Sequence, residues 1–205
     1  KNYIIKKIYV DKLQTEGVEQ VSLTGWGEPL VHPHLLVCLI YAKQKGMIVK
    51  FTTNGVLIKK EMVQHIIDTG VYEITFSIDS INIDPKNEWG HLNKVALKRV
   101  DDFITLKKKN NLQKPKIIIQ TMLQKNREQD IYDVIMWAGK TGCDIVNLGR
   151  LNLSFDPKLD RPSEKEEQIL LNKAEELGKQ HNIQIDCIQG GMFSGLSRLA
   201  YKMIK

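Results

Sequence analysis

Short β-branched or apolar stretches alternate with longer amphipathic ones along the whole of this 205-residue chain. Residues 3–16 have helical spacing, with Ile4, Ile8 and Leu13 among lysines and Gly17 after them. Glu19 to Thr24 reads as a strand, residues 34–45 as a helix closed by Gly46, and Met47 to Thr53 as the next strand. A helix from Lys59 to Thr69 stops at Gly70, and a strand from Val71 to Asp79 leads into the polar loop Ile81 to Gly90. A long helix follows from about Leu92 to Lys109, and beyond Pro115 comes the strand Lys116 to Met122, rich in β-branched isoleucine. Arg127 to Thr141 is helical and ends at Gly142; Asp144 to Arg150 is a strand and Leu151 to Pro162 a loop. Ser163 with Glu166 forms a capping-box pattern for the helix Ser163 to His181, and Ile183 to Cys187 is the last strand. At about 25 to 35 residues per unit, this order predicts an α/β fold of parallel strands joined by right-handed crossovers.

The polar residues fall at the exits of those strands. Val21 to Leu30 reads V-S-L-T-G-W-G-E-P-L: a buried strand end, then Gly25 and Gly27 around Trp26, then a carboxylate at Glu28 beside Pro29. The glycines allow close approach of the backbone, and Glu28 supplies an anionic acceptor suited to a ligand with an ammonium group. Thr53 and Asn54 end the second strand, Ser77 and Asp79 the third, Gln120 with Asn126 the fourth, and Asn147 with Arg150 the fifth. In parallel α/β barrels these ends converge on one mouth, so the pattern predicts a shared pocket. Ser77 and Asp79 alternate on one strand and face the same side. Arg150 fits either a carboxylate ligand or an acidic neighbour. His32 and His34, as H-P-H, read as loop and helix-entry residues, since two histidines without a third ligand make a poor metal site.

Composition excludes several classes. With 42% hydrophobic and 26% charged residues the chain is an ordinary globular sequence, without an apolar run of membrane-span length. The expectation is a cytoplasmic protein with no membrane contact. The formal charge of +6 comes from lysines spread over helix faces, and the densest run, Lys107 to Lys109, closes a helix where cations complement the dipole. No nucleic-acid partner is expected. Cys38, Cys143 and Cys187 show no CxxC or CxxxC spacing, hence neither a metal motif nor a disulfide framework.

Taken together, the strand-end motifs resemble those of the radical S-adenosylmethionine (radical SAM) superfamily. G-W-G-E-P stands where that family has G-G-E-P, T-N-G follows at the next strand end, and S-I-D at the one after. The downstream pattern, with Asn126 and T-G-C-D-I-V, is similar to members that carry a C-terminal SPASM or twitch auxiliary-cluster domain. The resemblance implies a partial (β/α)6 TIM-like barrel with parallel strands, its first strand and cluster loop missing from this chain. Residues 1–188 would form that barrel, and 189–205 a linker or the start of a truncated C-terminal domain.

Function follows from the same resemblance. It implies a 4Fe–4S cluster whose open iron is chelated by SAM, reductive cleavage of SAM to a 5'-deoxyadenosyl radical, and hydrogen abstraction from a peptide, protein or small-molecule precursor. An oxidoreductase or maturase of this kind draws electrons from a donor such as a flavodoxin or ferredoxin. By position, Gly25, Gly27 and Glu28 would meet the amino end of SAM, and Thr53 and Asn54 its methionyl side. Ser77 and Asp79 would lie near its ribose or carboxylate, Asn126 would brace the adenine pocket, and Leu148 would pack on adenine. Two departures stand out: Trp26 replaces a small residue, and Lys86 is the nearest cation where relatives carry an arginine. Three thiolates are needed for the cluster, so its cysteines are expected upstream of Lys1 and the chain alone is expected to be inactive. The alternatives are a degenerate barrel acting as a binding module, and a cluster-free barrel lyase or aldolase using Lys116 or Asp79.

Overall fold

The computed structural model describes residues 2–24, 27–84, 86, 90–150 and 161–188. Gly25, Trp26, most of the Leu151 to Pro162 loop and the expected linker 189–205 lie outside them. The element order is α1 (Asn2–Thr15), β1 (Gln20–Ser22), a 3-10 turn (Pro29–Val31), α2 (Leu35–Gln44), β2 (Ile48–Thr53), α3 (Met62–Asp68) and β3 (Glu73–Ser77). It continues with α4 (Gly90–Lys109), β4 (Lys116–Leu123), α5 (Glu128–Thr141), β5 (Ile145–Arg150), α6 (Glu164–Gln180) and β6 (Gln184–Ile188). Strands β1 to β6 follow one another in chain order in one open, all-parallel sheet, the arrangement of a partial TIM-like barrel. That order follows from the expected right-handed β-α-β rhythm.

The described residues fall into two compact units, one drawn from Lys1–Ser77 and Ile83–Ile118, the other from Ile78–Asn82 and Ile119–Lys205. In the first, β1 pairs with β2 through Val21 opposite Val49, and β2 with β3 through Phe51 opposite Ile74. Phe51, Phe76 and Phe103 are fully buried, and the rings of Phe76 and Phe103 meet edge to face at 5.8 Å. Each such side chain contributes about 2–3 kcal/mol by leaving water. These contacts explain the unit's β-branched strands and the apolar stripe of α4 at Ala96, Val100, Phe103 and Ile104. On the other end of the strands from their exits, Lys50 pairs with Glu73 at 3.1 Å.

In the second unit, β5 pairs with β6 through Leu148 opposite Cys187. Its core is Ile119, Leu123, Ile131, Val134, Ile135, Val146, Leu148, Leu170 and Ala174. Gly142 takes φ +94° after α5 and returns its N–H to Ala138, a left-handed stop that a side chain would strain. The Ser163–Glu166 capping box is formed at the start of α6, the Ser163 amide donating to Glu166 Oε2 at 2.7 Å. Helix α6 lies close on β6: a Cβ at Gly178 would stand 2.5 Å from Ile185 Cγ1 and 2.9 Å from the Ile183 carbonyl oxygen.

Two strands are shorter than their sequence pattern. β1 ladders over Gln20–Ser22, and the Thr24 hydroxyl, not a backbone carbonyl, takes the Thr52 N–H at 3.0 Å. The third stops at Ser77, and a side chain again takes up the next partner.

Candidate functional site

In the first unit the site is built around Glu28. Gly27 has φ +88° and turns the chain out of the β1 exit, and Glu28 then caps the Pro29–Val31 turn. Its Oε1 accepts the Leu30 amide at 3.1 Å and the Thr53 hydroxyl at 2.7 Å; its Oε2 accepts the Asn54 amide at 2.8 Å. Thr53 is 2% exposed, and its hydroxyl also accepts the Gly55 N–H at 2.9 Å. Asn54 Oδ1 accepts the Val56 amide at 3.0 Å, closing a local turn. A carboxylate has about four lone-pair positions. Three are taken here, so Glu28 is held rigid with acceptor capacity left on Oε2. A cavity of about 550 Å³, lined mostly by apolar residues including Val10, Val21 and Leu35, has Gly27 and Glu28 in its wall.

Ser77 is exposed at the last position of β3. His32 Nδ1 accepts the His34 amide at 3.1 Å and the two rings meet edge to face, as expected of loop and helix-entry residues. Among the described residues no group of three His, Cys, Asp or Glu side chains could hold a metal.

In the second unit the Ile78 amide donates to the Gln120 carbonyl at 2.9 Å. Asp79 Oδ1 accepts the Met122 amide at 2.9 Å, with the Thr121 hydroxyl at 3.5 Å. Burial pushes the Asp79 carboxyl above its ordinary pKa; the Met122 N–H and the Arg127 charge pull the other way. The Ser80 hydroxyl donates to Asp130 Oδ1 at 2.8 Å, and Arg127 Nε donates to Asp130 Oδ2 at 2.9 Å. Asn126 is an exposed turn residue at φ +62°, just before α5. Gln120 and Met122 share one face of β4, and a Cβ at Gly149 would stand 2.9 Å from Met122 Sδ, which places Gly149 on that face too.

Leu148 is 0% exposed, part of the second unit's core, and, one residue from Gly149, points to the opposite face of the sheet. Arg150 resolves the other way: its guanidinium forks onto Glu167, with Nη2 at 2.6 Å from Oε1 and Nε at 3.0 Å from Oε2. The acidic neighbour lies on α6, seventeen residues on, and no local pattern pointed to it. Glu28's triple anchoring was equally invisible, although the chemistry of E-P after glycine signalled an acceptor.

Residues 3–144 match the family described as the radical SAM superfamily. The chain belongs to the radical SAM superfamily. Its relatives include the tungsten-containing aldehyde ferredoxin oxidoreductase cofactor-modifying protein of Pyrococcus furiosus, 23% identical over 71% of this chain and 41% of that protein. The AdoMet-dependent heme synthase of Methanosarcina barkeri is 32% identical over 38% of this chain and 22% of its own length. Among solved structures, Streptococcus suis SuiB bound to S-adenosylmethionine aligns with a TM-score of 0.74 at 17% identity, over 91% of this chain and 43% of SuiB. The chain thus spans less than half the length of each of these proteins.

Radical SAM membership implies SAM and a 4Fe–4S cluster, and the residues present fit the two differently. Glu28 fits an ammonium: a fixed, half-buried carboxylate with an open acceptor position. The cysteines do not fit the cluster. Cys38 and Cys143 are buried and Cys187 is exposed. Leu148 is level with Cys187, and Cys143 lies five residues earlier on the same chain. From Ile145, where β5 starts, to Leu148 the rise is already about 10 Å at about 3.3 Å per residue, and Cys143 lies before that start, which keeps it and Cys187 apart along the chain direction.

Proposed function

We propose that this chain is the SAM-binding core of a radical SAM enzyme. The observation that carries the reading is the Glu28 carboxylate, anchored by Leu30, Thr53 and Asn54 with one acceptor position open. In this reading Glu28 Oε2 takes an N–H of the SAM ammonium, and Gly27 lets the backbone approach its methionyl end. Thr53 acts behind Glu28 as a brace. Asn54 and exposed Ser77, in the same unit as Glu28, provide further polar groups at their strand exits.

Reductive cleavage of SAM is the superfamily's iron–sulfur chemistry. The cysteines of this chain do not assemble its ligands, so the roles that fall to its own residues are those of binding and orientation. Relatives named for cofactor modification and heme synthesis support a small-molecule precursor as substrate, and a peptide or protein precursor belongs to the same proposal. An electron donor of the flavodoxin or ferredoxin type would then complete an oxidoreductase or maturase. No helix among the described residues is long and apolar enough to cross a membrane; a cytoplasmic location is part of the same proposal. Residues 1–188 are the barrel in this reading, and 189–205 lead out of it.

The test is SAM binding by isothermal titration to the wild-type chain and to Glu28→Gln. The variant keeps an oxygen acceptor but loses the charge that faces the ammonium, and at least a tenfold loss of affinity is expected. Equal affinity in the two proteins overturns the assignment.

A further inference from the structure

The chain leaves the sheet after Ser77, yet its exit segment stays tied to β4. Ile78 N–H still finds the Gln120 carbonyl at 2.9 Å, as a parallel ladder requires. The next ladder acceptor along β3 would be a backbone carbonyl, but the chain has already turned. In its place stands the Asp79 side chain, Oδ1 receiving the Met122 amide at 2.9 Å and facing the fully buried Thr121 hydroxyl at 3.5 Å. One residue on, the Ser80 hydroxyl reaches Asp130 at 2.8 Å, and Asp130 is held in turn by Arg127 at 2.9 Å. Consecutive side chains thus stitch this turn to the end of β4 and to the first turn of α5. Both stitches lie within the second unit.

The same device occurs in the first unit, where Glu28 Oε2 receives the Asn54 amide beyond the end of β2. The two carboxylates differ in what surrounds them. Glu28 carries three donors, two of them from the strand end it serves; both of Asp79's donors come from the strand it ties down.

We propose that Asp79 is a positioning residue: its carboxylate extends the sheet past the end of β3 and fixes Met122, beside Gly149, and SAM affinity depends on it through the groups it holds in place and not through a contact with Asp79 itself. This rests on the SAM-binding reading. The rival role is a direct contact through Oδ2, which receives no donor among the described residues.

Asp79→Asn separates the two, because the amide retains Oδ1 as acceptor for Met122 and replaces only Oδ2. Asp79→Ala removes both. The readouts are amide hydrogen exchange at Met122 and SAM affinity by titration, on the 205-residue chain. Positioning predicts that Asp79→Asn stays within about threefold of wild type in both, while Asp79→Ala speeds Met122 exchange at least 100-fold and weakens SAM at least tenfold. If Asp79→Asn loses SAM affinity tenfold with the Met122 amide still protected, Oδ2 touches the ligand and the proposal fails. Should Asp79→Ala not fold, Asp79→Asn alone decides on those criteria. If wild type binds no SAM, the binding reading fails separately, and unchanged Met122 exchange in Asp79→Ala would still overturn the latch.

Discussion

Glu28 Oε2 accepts the backbone N–H of Asn54 at 2.8 Å, so the carboxylate after β1 finishes the hydrogen bonding of β2. Asp79 does the same for Met122 after β3. The carboxyl groups at these strand exits are architectural parts of the sheet, and in Glu28 the remaining lone pair is what a ligand can use.

Glu28→Ala removes the acceptor for the Leu30 amide, the Thr53 hydroxyl and the Asn54 amide. Thr53 is too buried for water to replace the loss fully. Urea denaturation is expected to show a loss of about 1–3 kcal/mol, with Glu28→Gln closer to wild type. An unchanged midpoint for Glu28→Ala would mean that the turn holds without its anchor.

Gly178→Ala sets two effects against each other. Helix propensity favours alanine by about 1 kcal/mol, but the new Cβ would lie 2.5 Å from Ile185 Cγ1 and 2.9 Å from the Ile183 carbonyl oxygen. Overpacking against backbone wins, and a net destabilisation of about 1–3 kcal/mol is expected by thermal or chemical denaturation. A stabilised variant would show that α6 and β6 separate easily.

Asp79 makes stability depend on pH. Its folded pKa lies above the ordinary 3.8, raised by burial, so the folded chain binds this proton more tightly than the unfolded one. The contribution is full below the unfolded pKa and is lost as pH rises through the folded pKa. Asp79→Asn removes that dependence. Relative to wild type, the variant should therefore gain stability as pH rises above the ordinary carboxylate range in paired denaturant titrations; parallel curves would contradict the raised pKa.

Thiol accessibility is also fixed by the fold. Cys38 and Cys143 are buried and Cys187 is exposed. An aromatic disulfide reagent should modify one thiol in the native chain and three in guanidinium. Burial, followed by the Glu167 charge, raises the Cys187 pKa, so its reaction should quicken as pH rises above the usual thiol range. Three fast native thiols would place the buried pair wrongly.

The alternation of strand and helix, the glycine stops, the capping box at Ser163 and the parallel sheet were legible in the chain, because propensity, periodicity and capping act over a few residues. The motifs G-W-G-E-P, T-N-G and S-I-D carried the family in the same local way. What a carboxylate does at a strand exit was not legible. Glu28 and Asp79 both read as ligand contacts, yet their donors come from residues 25 and 43 positions away, and only tertiary packing brings those together. Leu148 illustrates the same limit: a residue's strand can be read from sequence, but which face lies under the helices is decided when the layers pack. Arg150 found Glu167 across a loop for that reason, and the placing of Leu148 opposite Cys187 is set by register, a property of two strands and not of either one.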